Sequence, residues 1–406
     1  MHSHTDRQKA PSVPNPNVTP LAQDFTIAAR VPDPGRYFFH DPNLARLDDG
    51  ALLIAAPEWG RRHTNLGRSL RIVRSTDGGL TWDDLPTLPY EEGRPFVVDG
   101  RLLMFVQERS HGDFQIVASH DRGESWTEPQ TVLPGPIWNI STAQVVRPDT
   151  LYWAMDRDSS GVDYKGKVMV RWDRAKSAFD PAAWSISNIV PPPAVPAVLT
   201  RELYPQHDRP DIHLGWSRPF VWLEPNTVEV AGRIRVFARA IIDEKATANI
   251  AAVLDYDEAA NRLSFTQFAS WPGGQCKFFI LHDRPNRMYW MLSNLVTNSQ
   301  DLLGWGDRMR ETGYTGGPGN ERRWLFLHYG IDCLNWFPAG CVARWPDSVH
   351  RSFMYPSAVI DGHDLVILSR TSRHAANQHD ADLCTIHRIP NFRSLAMNLH
   401  KGGLTP

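Results

Sequence analysis

Two octapeptides with the same pattern constrain the fold more than any other feature of this sequence. Residues 75–82 (STDGGLTW) and 119–126 (SHDRGESW) share the pattern S-x-D-x-G-x-[ST]-W and begin 44 residues apart. Each follows an apolar, strand-like run. In such a turn the Asp side chain accepts hydrogen bonds from backbone N–H groups, Gly adopts a positive φ, and Trp packs back under the turn. Two copies at this spacing predict tandem β-hairpin repeats.

Weaker copies of the pattern continue along the chain. Trp172 with Trp184, residues 255–257 and residues 329–336 (YGIDCLNW) each come after an apolar run. Short alternating segments bounded by Gly, Asp, Asn or Pro lie between them, and long helical periodicity is missing. The sequence therefore predicts an all-β fold, a single-domain β-propeller of four-stranded antiparallel sheets. Repeat spacing favours about six blades, with five or seven as alternatives.

The domain boundaries follow from composition. Residues 1–22 are polar and rich in proline and are predicted to be a disordered lead-in, residues 23–395 form the propeller, and residues 396–406 form a tail. The strand predicted near residues 25–31 is expected to pair with the strand near residues 383–388. That pairing would close the ring and remove exposed sheet edges.

Charge and composition exclude several function classes. The formal net charge is −2, so the chain has no basic excess for a nucleic-acid backbone. No segment is long and apolar enough to span a membrane, and no secretion signal is recognisable. The expected location is cytoplasmic, or secreted if a signal peptide was removed. The four cysteines form no CxxC pair, although Cys333 and Cys341 could bridge a hairpin. We expect no cofactor and no metal, and the sequence leaves the oligomeric state open.

Two long irregular segments, residues 186–217 and 298–323, interrupt the repeat. Long loops in a compact domain are often functional, and both segments carry Arg, His, Tyr and Trp. We therefore expect them to form the rim of a pocket. Tyr204, His207 and Arg218 are candidate substrate contacts in the first segment or directly after it, and Arg322 is a candidate in the second.

The octapeptides resemble the Asp-box repeats of the sialidase superfamily. Sialidases hold a substrate carboxylate with three Arg, and they use a Tyr nucleophile activated by a Glu and an Asp as acid/base. Residues 354–359 (MYPSAV), followed by Asp361 and Gly362, resemble the strand that carries this Tyr, which implies a role for Tyr355. His40 stands where the first Arg of that family would be. Residues 58–63 (EWGRRH) resemble the loop of the acid/base Asp, with His63 in its place.

These replacements are also similar to the propeller lyases that cleave ulvan and rhamnose–glucuronate linkages. The resemblance implies that His and Tyr exchange protons while an Arg neutralises a uronate carboxylate. The candidates for this chemistry are His40, His63, Tyr204 and Arg218. Such proton abstraction needs a base near neutral pH and a cation for the developing charge.

The preferred hypothesis is a glycoside hydrolase that cleaves an acidic oligosaccharide, uronate-like or sialate-like. The alternatives are a β-eliminating lyase and a non-catalytic glycan-binding propeller. The candidate catalytic residues are His40, His63, Tyr204 and Tyr355. The candidate substrate-binding residues are Arg61, Arg62, His207, Arg218, Lys277 and Arg322.

Overall fold

The structure is a computed structural model that describes residues 7–8, 19–138, 142–158, 165–196, 220–242, 249–295, 322–345, 350–375 and 377–397. Within these residues the strands form six antiparallel sheets, the blades of a six-bladed β-propeller. The predicted fold class and the preferred blade number are both confirmed. The chain begins with β1 (Arg7–Gln8) and β2 (Phe25–Arg30), which belong to the last blade.

The first three blades occupy the first half of the chain. Blade 1 contains β3 (Tyr37–Phe39), β4 (Asn43–Arg46), β5 (Leu52–Gly60), β6 (Arg68–Ser75) and β7 (Asp83–Asp84). Blade 2 contains β8 (Glu92–Val98), β9 (Arg101–Gln107), β10 (Phe114–Ser119) and β11 (Gln130–Leu133). Blade 3 contains β12 (Ile137–Trp138), β13 (Val145–Val146), β14 (Thr150–Asp158), β15 (Lys165–Asp173) and β16 (Trp184–Ile186).

The last three blades follow the same up-and-down order. Blade 4 contains β17 (Phe220–Val230), β18 (Arg233–Ile242), β19 (Ile250–Asp257) and β20 (Arg262–Ser270). Blade 5 contains β21 (Phe279–Asp283), β22 (Met288–Asn294), β23 (Trp324–Gly330) and β24 (Phe337–Arg344). Blade 6 contains β25 (Ser352–Asp361), β26 (Asp364–Ser372) and β27 (Leu383–Ile389), completed by β2 and β1. Short 3-10 turns span Arg62–Thr64, Pro181–Ala183, Arg284–Asn286 and Phe392–Leu395.

The ring closes where the two ends of the chain share a sheet. Strand β2 pairs antiparallel with β27, with Thr26 opposite Ile386 and Arg30 opposite Leu383. This confirms the predicted closure. The segment before β2 also pairs with blade 5, since the N–H of Leu21 donates to the carbonyl of Cys341.

The hydrophobic core is divided among the boundaries between neighbouring blades. Most clusters of buried side chains combine the facing sides of two consecutive sheets, as between blades 6 and 1, where Ile54 and Trp82 pack with Leu368. Tryptophans supply much of this packing. The fully buried examples include Trp82, Trp172, Trp222, Trp271 and Trp290. Most of the stabilisation therefore comes from apolar area between blades.

Both octapeptides fold as turns around their Asp side chain. Asp77 Oδ1 accepts the N–H groups of Leu80 and Thr81 at 3.0 and 2.9 Å. Trp82 Nε1 donates to the carbonyl of Gly79, whose φ is 93°. In the second octapeptide Asp121 Oδ1 accepts the N–H of Ser125 at 2.8 Å, and Trp126 Nε1 donates to the carbonyl of Gly123. In the degenerate copy, Asp332 accepts the N–H groups of Leu334 and Asn335.

Cys333 and Cys341 do not form the hairpin disulfide that the sequence left open. All four cysteines are buried, and none of them forms a disulfide. In the described part of the chain, no helix has the length and apolar character of a membrane span.

The two octapeptide tryptophans offer a matched test of blade packing. Trp82 is 1% exposed, whereas Trp126 is only partly buried. We expect Trp82→Ala to lower the free energy of unfolding by about 3–5 kcal/mol, because it leaves a large cavity between blades. Trp126→Ala should lower the free energy of unfolding by a clearly smaller amount. Urea denaturation measures both values, and equal losses would contradict this account of the core.

Candidate active site

Charged side chains from all six blades meet at one end of the propeller axis. The innermost strands pack in ring order, with β25 against β4, β4 against β8, β17 against β21 and β21 against β25. The charged residues lie near the beginnings of these strands or on the strands beside them. The buried members of the group are Asp41, Glu92, Arg94, Asp156, Lys167, Glu224, Arg239, Lys277, Arg322 and Arg370, together with Tyr355.

Two members occupy left-handed backbone at matching bulges. Glu224 has φ = 60° and Tyr355 has φ = 49°, and each precedes a proline in the innermost strand of its blade. The strand register shifts at both places. A bulky residue with positive φ is strained, and a residue before proline normally stays extended. Strain of this kind persists only where surrounding contacts hold it, and it gathers at functional sites.

An arginine stands in the same place beside each bulge. Arg239 follows Glu224 by fifteen positions, and Arg370 follows Tyr355 by fifteen. In each sheet the arginine lies opposite the residue that precedes the bulge. Blades 4 and 6 therefore repeat one arrangement, in which a guanidinium group accompanies a carboxylate in one case and a phenol in the other.

Three guanidinium groups surround the phenol of Tyr355. Arg239 Nη1 donates to its oxygen at 3.4 Å, and the Cζ atoms of Arg370 and Arg322 lie 4.0 and 5.4 Å from the ring centroid. Among the described residues, Arg239 Nη2, Arg322 Nε and Arg370 Nε have no hydrogen-bond partner. Buried donors without partners are costly. The cluster therefore holds spare N–H groups that an anion could satisfy.

The phenol needs a base before it can act as a nucleophile. Burial and the charge of Glu224 raise the pKa of Tyr355, although the three arginines oppose this rise. Glu224 Oε1 accepts from the same Arg239 Nη1 at 3.0 Å, so one nitrogen joins the carboxylate to the phenol. Glu224 Oε2 is buried without a hydrogen-bond partner in the described residues. This oxygen is therefore suited to accept the proton of a neighbouring group.

Blade 3 supports the Glu224 bulge through a buried ion pair. The N–H of Glu224 donates to Asp156 Oδ2 at 3.0 Å, and Asp156 Oδ1 lies 2.5 Å from Lys167 Nζ. Lys167 also donates to the carbonyl of Trp222 at 3.0 Å. Removing one partner of a buried pair is strongly destabilising. The pair therefore fixes the backbone on both sides of Leu223.

The ring of His40 is held from several directions. Its Nδ1 lies 3.0 Å from Asp41 Oδ2 and 3.3 Å from Glu92 Oε1. The imidazole stacks on Trp59 at 3.8 Å, and Arg370 donates to the His40 carbonyl. Carboxylates beside Nδ1 favour a proton on that nitrogen, which leaves Nε2 to exchange a proton with another group. His40 thus has the environment of an acid/base residue.

Glu92 places a carboxyl group with a lowered pKa beside His40. It is fully buried, and its oxygens accept from Ser110 Oγ and Arg94 Nη2, both at 3.1 Å. Burial alone would raise the pKa of Glu92. The charges of His40 and Arg94, with hydrogen bonds from His40 and Ser110, outweigh burial and lower it to about 2.

His40, Asp41 and Glu92 also lie close enough to be considered as metal ligands, with donor atoms within 4.8 Å of one another. Two cations already occupy this neighbourhood, however. Arg94 Nη2 lies 3.9 Å from Asp41 Oδ2, and Arg370 Nη1 lies 3.7 Å from Asp41 Oδ1. A divalent ion would face both guanidinium groups at short range, so the charge balance of these residues fits proton transfer better than metal binding.

Four of the residues selected from the sequence lie in this cluster: His40, Tyr355, Lys277 and Arg322. Lys277 is 1% exposed and its Nζ donates to the carbonyl of Pro356. Burial lowers the pKa of Lys277 to about 7. The charges of Arg94 and Arg370 act in the same direction, and Glu224 and Asp41 oppose them.

Other selected residues lie apart from the cluster. Arg61 is buried and bound to Asp380 Oδ2 at 2.8 Å and to the carbonyl of Pro34 at 2.9 Å. It approaches Tyr355 only through Asp380 and His379, whose ring centroid is 6.3 Å from that of Tyr355. His63 is exposed on the turn Arg62–Thr64.

Four further predicted residues lie beyond what the structure describes. Tyr204, His207 and Arg218 fall outside the described residues, as does the side chain of Arg62. Their roles remain predictions.

The sequence reasoning missed Glu92, Arg94, Glu224, Arg239 and Arg370. A signal for three of them was present: Glu224-Pro and Tyr355-Pro dipeptides occur in two strand-like segments, each followed by Arg after fifteen positions. Recognising that repeat would have selected Glu224, Arg239 and Arg370 together. Glu92 and Arg94 carry no comparable local pattern, since a charged residue within a strand usually faces solvent.

Several solved structures have a similar fold, and the similarity covers most of the chain. A protein of unknown function from Dyadobacter fermentans has 13% identity, covers 93% of this chain and all of its own, and gives a TM-score of 0.57. An α-L-arabinanase from Penicillium chrysogenum, complexed with arabinobiose, has 12% identity, 90% and 96% coverage, and a TM-score of 0.53. A Trypanosoma rangeli sialidase with the inhibitor DANA has 14% identity and a TM-score of 0.56; the match covers 89% of this chain and 56% of the sialidase.

The chain has the six-bladed β-propeller fold of sialidases and arabinanases. At 12–14% identity this likeness concerns the fold. No protein-family model matches the propeller, and no curated protein matches it. Its function therefore has to be argued from its own residues.

The charge on Glu92 gives a prediction for pH dependence. Its folded pKa is about 2, against an ordinary value of 4.5. A lowered pKa stabilises the fold above pH 4.5, and this contribution of roughly 3 kcal/mol is lost as the pH falls towards 2. Glu92→Gln should therefore unfold at a lower temperature than the unmodified protein at pH 7.

Thermal unfolding between pH 2 and 7 measures this effect. The stability gap between the unmodified protein and Glu92→Gln should narrow below pH 4.5. Glu124→Gln is the matched control, because Glu124 is 58% exposed and pairs only at the surface with Arg74. A gap that stays constant down to pH 2 would show that Glu92 is not held as a carboxylate.

Proposed function

We propose that this propeller cleaves a glycosidic bond in an acidic oligosaccharide, uronate-like or sialate-like, as a glycoside hydrolase. The observation that carries the proposal is the set of three buried guanidinium groups around Tyr355, each with a donor left unused among the described residues. The charge balance adds support. Six of the buried charged side chains at the axis are basic, namely Arg94, Lys167, Arg239, Lys277, Arg322 and Arg370, against four carboxylates, Asp41, Glu92, Asp156 and Glu224.

A substrate carboxylate would accept hydrogen bonds from the unused guanidinium donors and would balance the excess of basic groups. Guanidinium groups bind carboxylates through paired N–H donors, and the interaction is strong where water is excluded. Arg239, Arg322 and Arg370 are 2%, 3% and 0% exposed. Because all three surround the same ring, a bound carboxylate would bring the rest of the sugar next to the Tyr355 phenol.

In the proposed reaction Tyr355 is the nucleophile and Glu224 is its base. The phenol oxygen attacks the anomeric carbon while Glu224 Oε2 takes the phenol proton, and the bond to the leaving oxygen breaks. His40 Nε2 donates a proton to that leaving oxygen. Water then attacks the anomeric carbon of the glycosyl–tyrosine intermediate while His40 takes a proton from the water, and the bond to the Tyr355 oxygen breaks. Glu224 returns its proton to the phenolate, so all three side chains are back in their starting states.

A β-eliminating lyase is the second candidate. Arg370 links His40 and Tyr355, because its guanidinium stacks on the Tyr355 phenol ring and donates to the backbone carbonyl of His40. Abstraction of a proton next to a uronate carboxylate would use the same base, phenol and cation. A non-catalytic glycan-binding propeller is the third candidate, in which the arginines bind an acidic sugar without cleaving it.

Fluorogenic aryl glycosides test the proposal. We expect release of the aryl group from sialic acid or glucuronic acid derivatives and none from neutral galactosides, because neutral sugars leave the arginines unsatisfied. Tyr355→Phe should lower kcat by roughly 10³-fold or more. Tyr256→Phe is the matched control, since Tyr256 lies on β19 and bonds Asn261 away from the axis.

The products separate the three candidates. A hydrolase incorporates oxygen from ¹⁸O-labelled water and gives no unsaturated sugar, whereas a lyase gives an unsaturated uronate that absorbs in the ultraviolet. Binding of acidic sugars without any product would indicate a glycan-binding protein. Equal cleavage of neutral and acidic glycosides would contradict the role of the arginines.

The role of His40 gives a separate prediction. A general acid matters most when the leaving group is a poor one. His40→Gln should therefore lower kcat/KM by roughly 10²–10⁴-fold for an oligosaccharide, but far less for a nitrophenyl glycoside, whose leaving group needs no proton. Equal losses on both substrates would assign His40 to another role.

A further inference from the structure

Lys277 donates a hydrogen bond to the backbone carbonyl of Pro356, a residue that the strand ladder skips. In the ladder between β25 and β26, Met354 pairs with Arg370 and the next paired residue is Ser357, so Tyr355 and Pro356 are skipped. Proline has no N–H, and its carbonyl is therefore its only backbone hydrogen-bonding group. Lys277 Nζ donates to that carbonyl from blade 5.

The contact lies next to the strained residue. Tyr355 holds φ = 49° directly before Pro356, a conformation that is unfavourable for an aromatic residue and for a residue before proline. The surroundings must therefore oppose its relaxation towards extended backbone. A hydrogen bond to the carbonyl that follows the bulge restrains the peptide unit whose rotation would move the phenol.

The other bulge is held by a comparable device. In β17 the ladder skips Glu224 and Pro225, and the N–H of Glu224 bonds Asp156, which pairs with the buried Lys167. In both cases the support comes from the preceding blade and includes a fully buried lysine. Buried lysines are rare, so two of them beside two strained bulges indicate a shared structural task.

Charges from four other blades face the ammonium group of Lys277. Glu224 and Asp41 favour its protonated form, while Arg94 and Arg370 oppose it. These contributions act in opposite directions, and either form of the amine can donate to a carbonyl. A test should therefore separate the effect of the hydrogen bond from the effect of the charge on Lys277.

We infer that Lys277 is a positioning residue that holds the Tyr355–Pro356 bulge and so places the phenol for reaction, an inference that rests on the nucleophilic role proposed for Tyr355. Its donor acts on the Pro356 carbonyl and not on the substrate. Losing the donor should let the bulge relax and withdraw the phenol from Arg239. Binding of the substrate carboxylate by the arginines should change much less.

Two substitutions separate donor from charge. Lys277→Met keeps an unbranched side chain that is one atom shorter and removes the donor, whereas Lys277→Gln keeps a donor and removes the charge. Lys176→Met is the matched control, because Lys176 is 49% exposed on the surface of blade 3. For each protein we would determine a crystal structure and measure kcat and KM with the acidic glycoside that the unmodified protein cleaves.

We expect the Met variant to show a displaced phenol and a kcat about 100-fold lower, with KM within about threefold of the unmodified value. The Gln variant should bond the Pro356 carbonyl, keep the phenol in place and retain kcat within about tenfold. An unmoved phenol and an unchanged kcat in the Met variant would overturn the inference.

If the Met variant does not fold, the Gln variant tests whether the hydrogen bond to the Pro356 carbonyl positions the phenol. A Gln side chain that bonds the carbonyl but leaves the phenol displaced, or that fails to bond it while the phenol stays in place, would overturn the inference. If the unmodified protein cleaves no glycoside, the proposed function fails. The crystal structures still show in that case whether Lys277 holds the bulge.

Discussion

The pairing of β2 with β27 holds the propeller ring closed. It joins a strand from the beginning of the chain to the last blade and closes the sheet ring. A closed ring has a fixed number of innermost strands around one axis, and their beginnings converge at one end. Residues far apart in sequence, such as Asp41 and Arg370, are brought into contact only by this closure.

Bringing so many charged side chains together in the protein interior is unfavourable, and the residues at the axis offset this by forming ion pairs with one another. Buried charges are unfavourable unless each has a partner, and breaking a single pair is more harmful than replacing both members. Glu92 with Arg94, Asp156 with Lys167 and Glu224 with Arg239 are pairs of this type. Asp41 lies 3.7 Å from Arg370, so Arg322 and Lys277 are the basic groups in excess; Arg322 and Arg370 both face the ring of Tyr355. A purely structural network would be expected to balance its charges, so the surplus supports the proposal of an acidic substrate.

Blades 4 and 6 contain the same local arrangement, a bulge before a proline with an arginine on the adjacent strand, but different side chains at the bulge. Each bulge turns one side chain towards the axis, and the arginine on the adjacent strand accompanies it. With Glu224 at the bulge, the arginine balances a carboxylate; with Tyr355 there, a guanidinium stacks on the phenol ring. The strain in both bulges is borne by neighbouring blades through Asp156 and Lys277.

Sequence reasoning predicted the fold well because the turn signature is local. Asp77 and Trp82 form their contacts within eight residues, so the pattern is readable without knowing the rest of the chain. The site was only partly predictable, because its contacts cross between blades. Tyr355 and His40 were found through a family resemblance, whereas Glu92 is recognisable only when the ring places it against His40. The positive φ of Glu224 is likewise a consequence of tertiary packing that no local pattern prescribes.

A crystal structure of Tyr355→Phe with an uncleaved acidic sugar bound would show whether the arginines around residue 355 hold the substrate carboxylate. We expect a carboxylate held by Arg239, Arg322 and Arg370, with the anomeric carbon next to the ring edge of residue 355 and His40 Nε2 facing the leaving oxygen. A sugar that binds elsewhere on the propeller, or that turns its carboxylate away from these arginines, would contradict it.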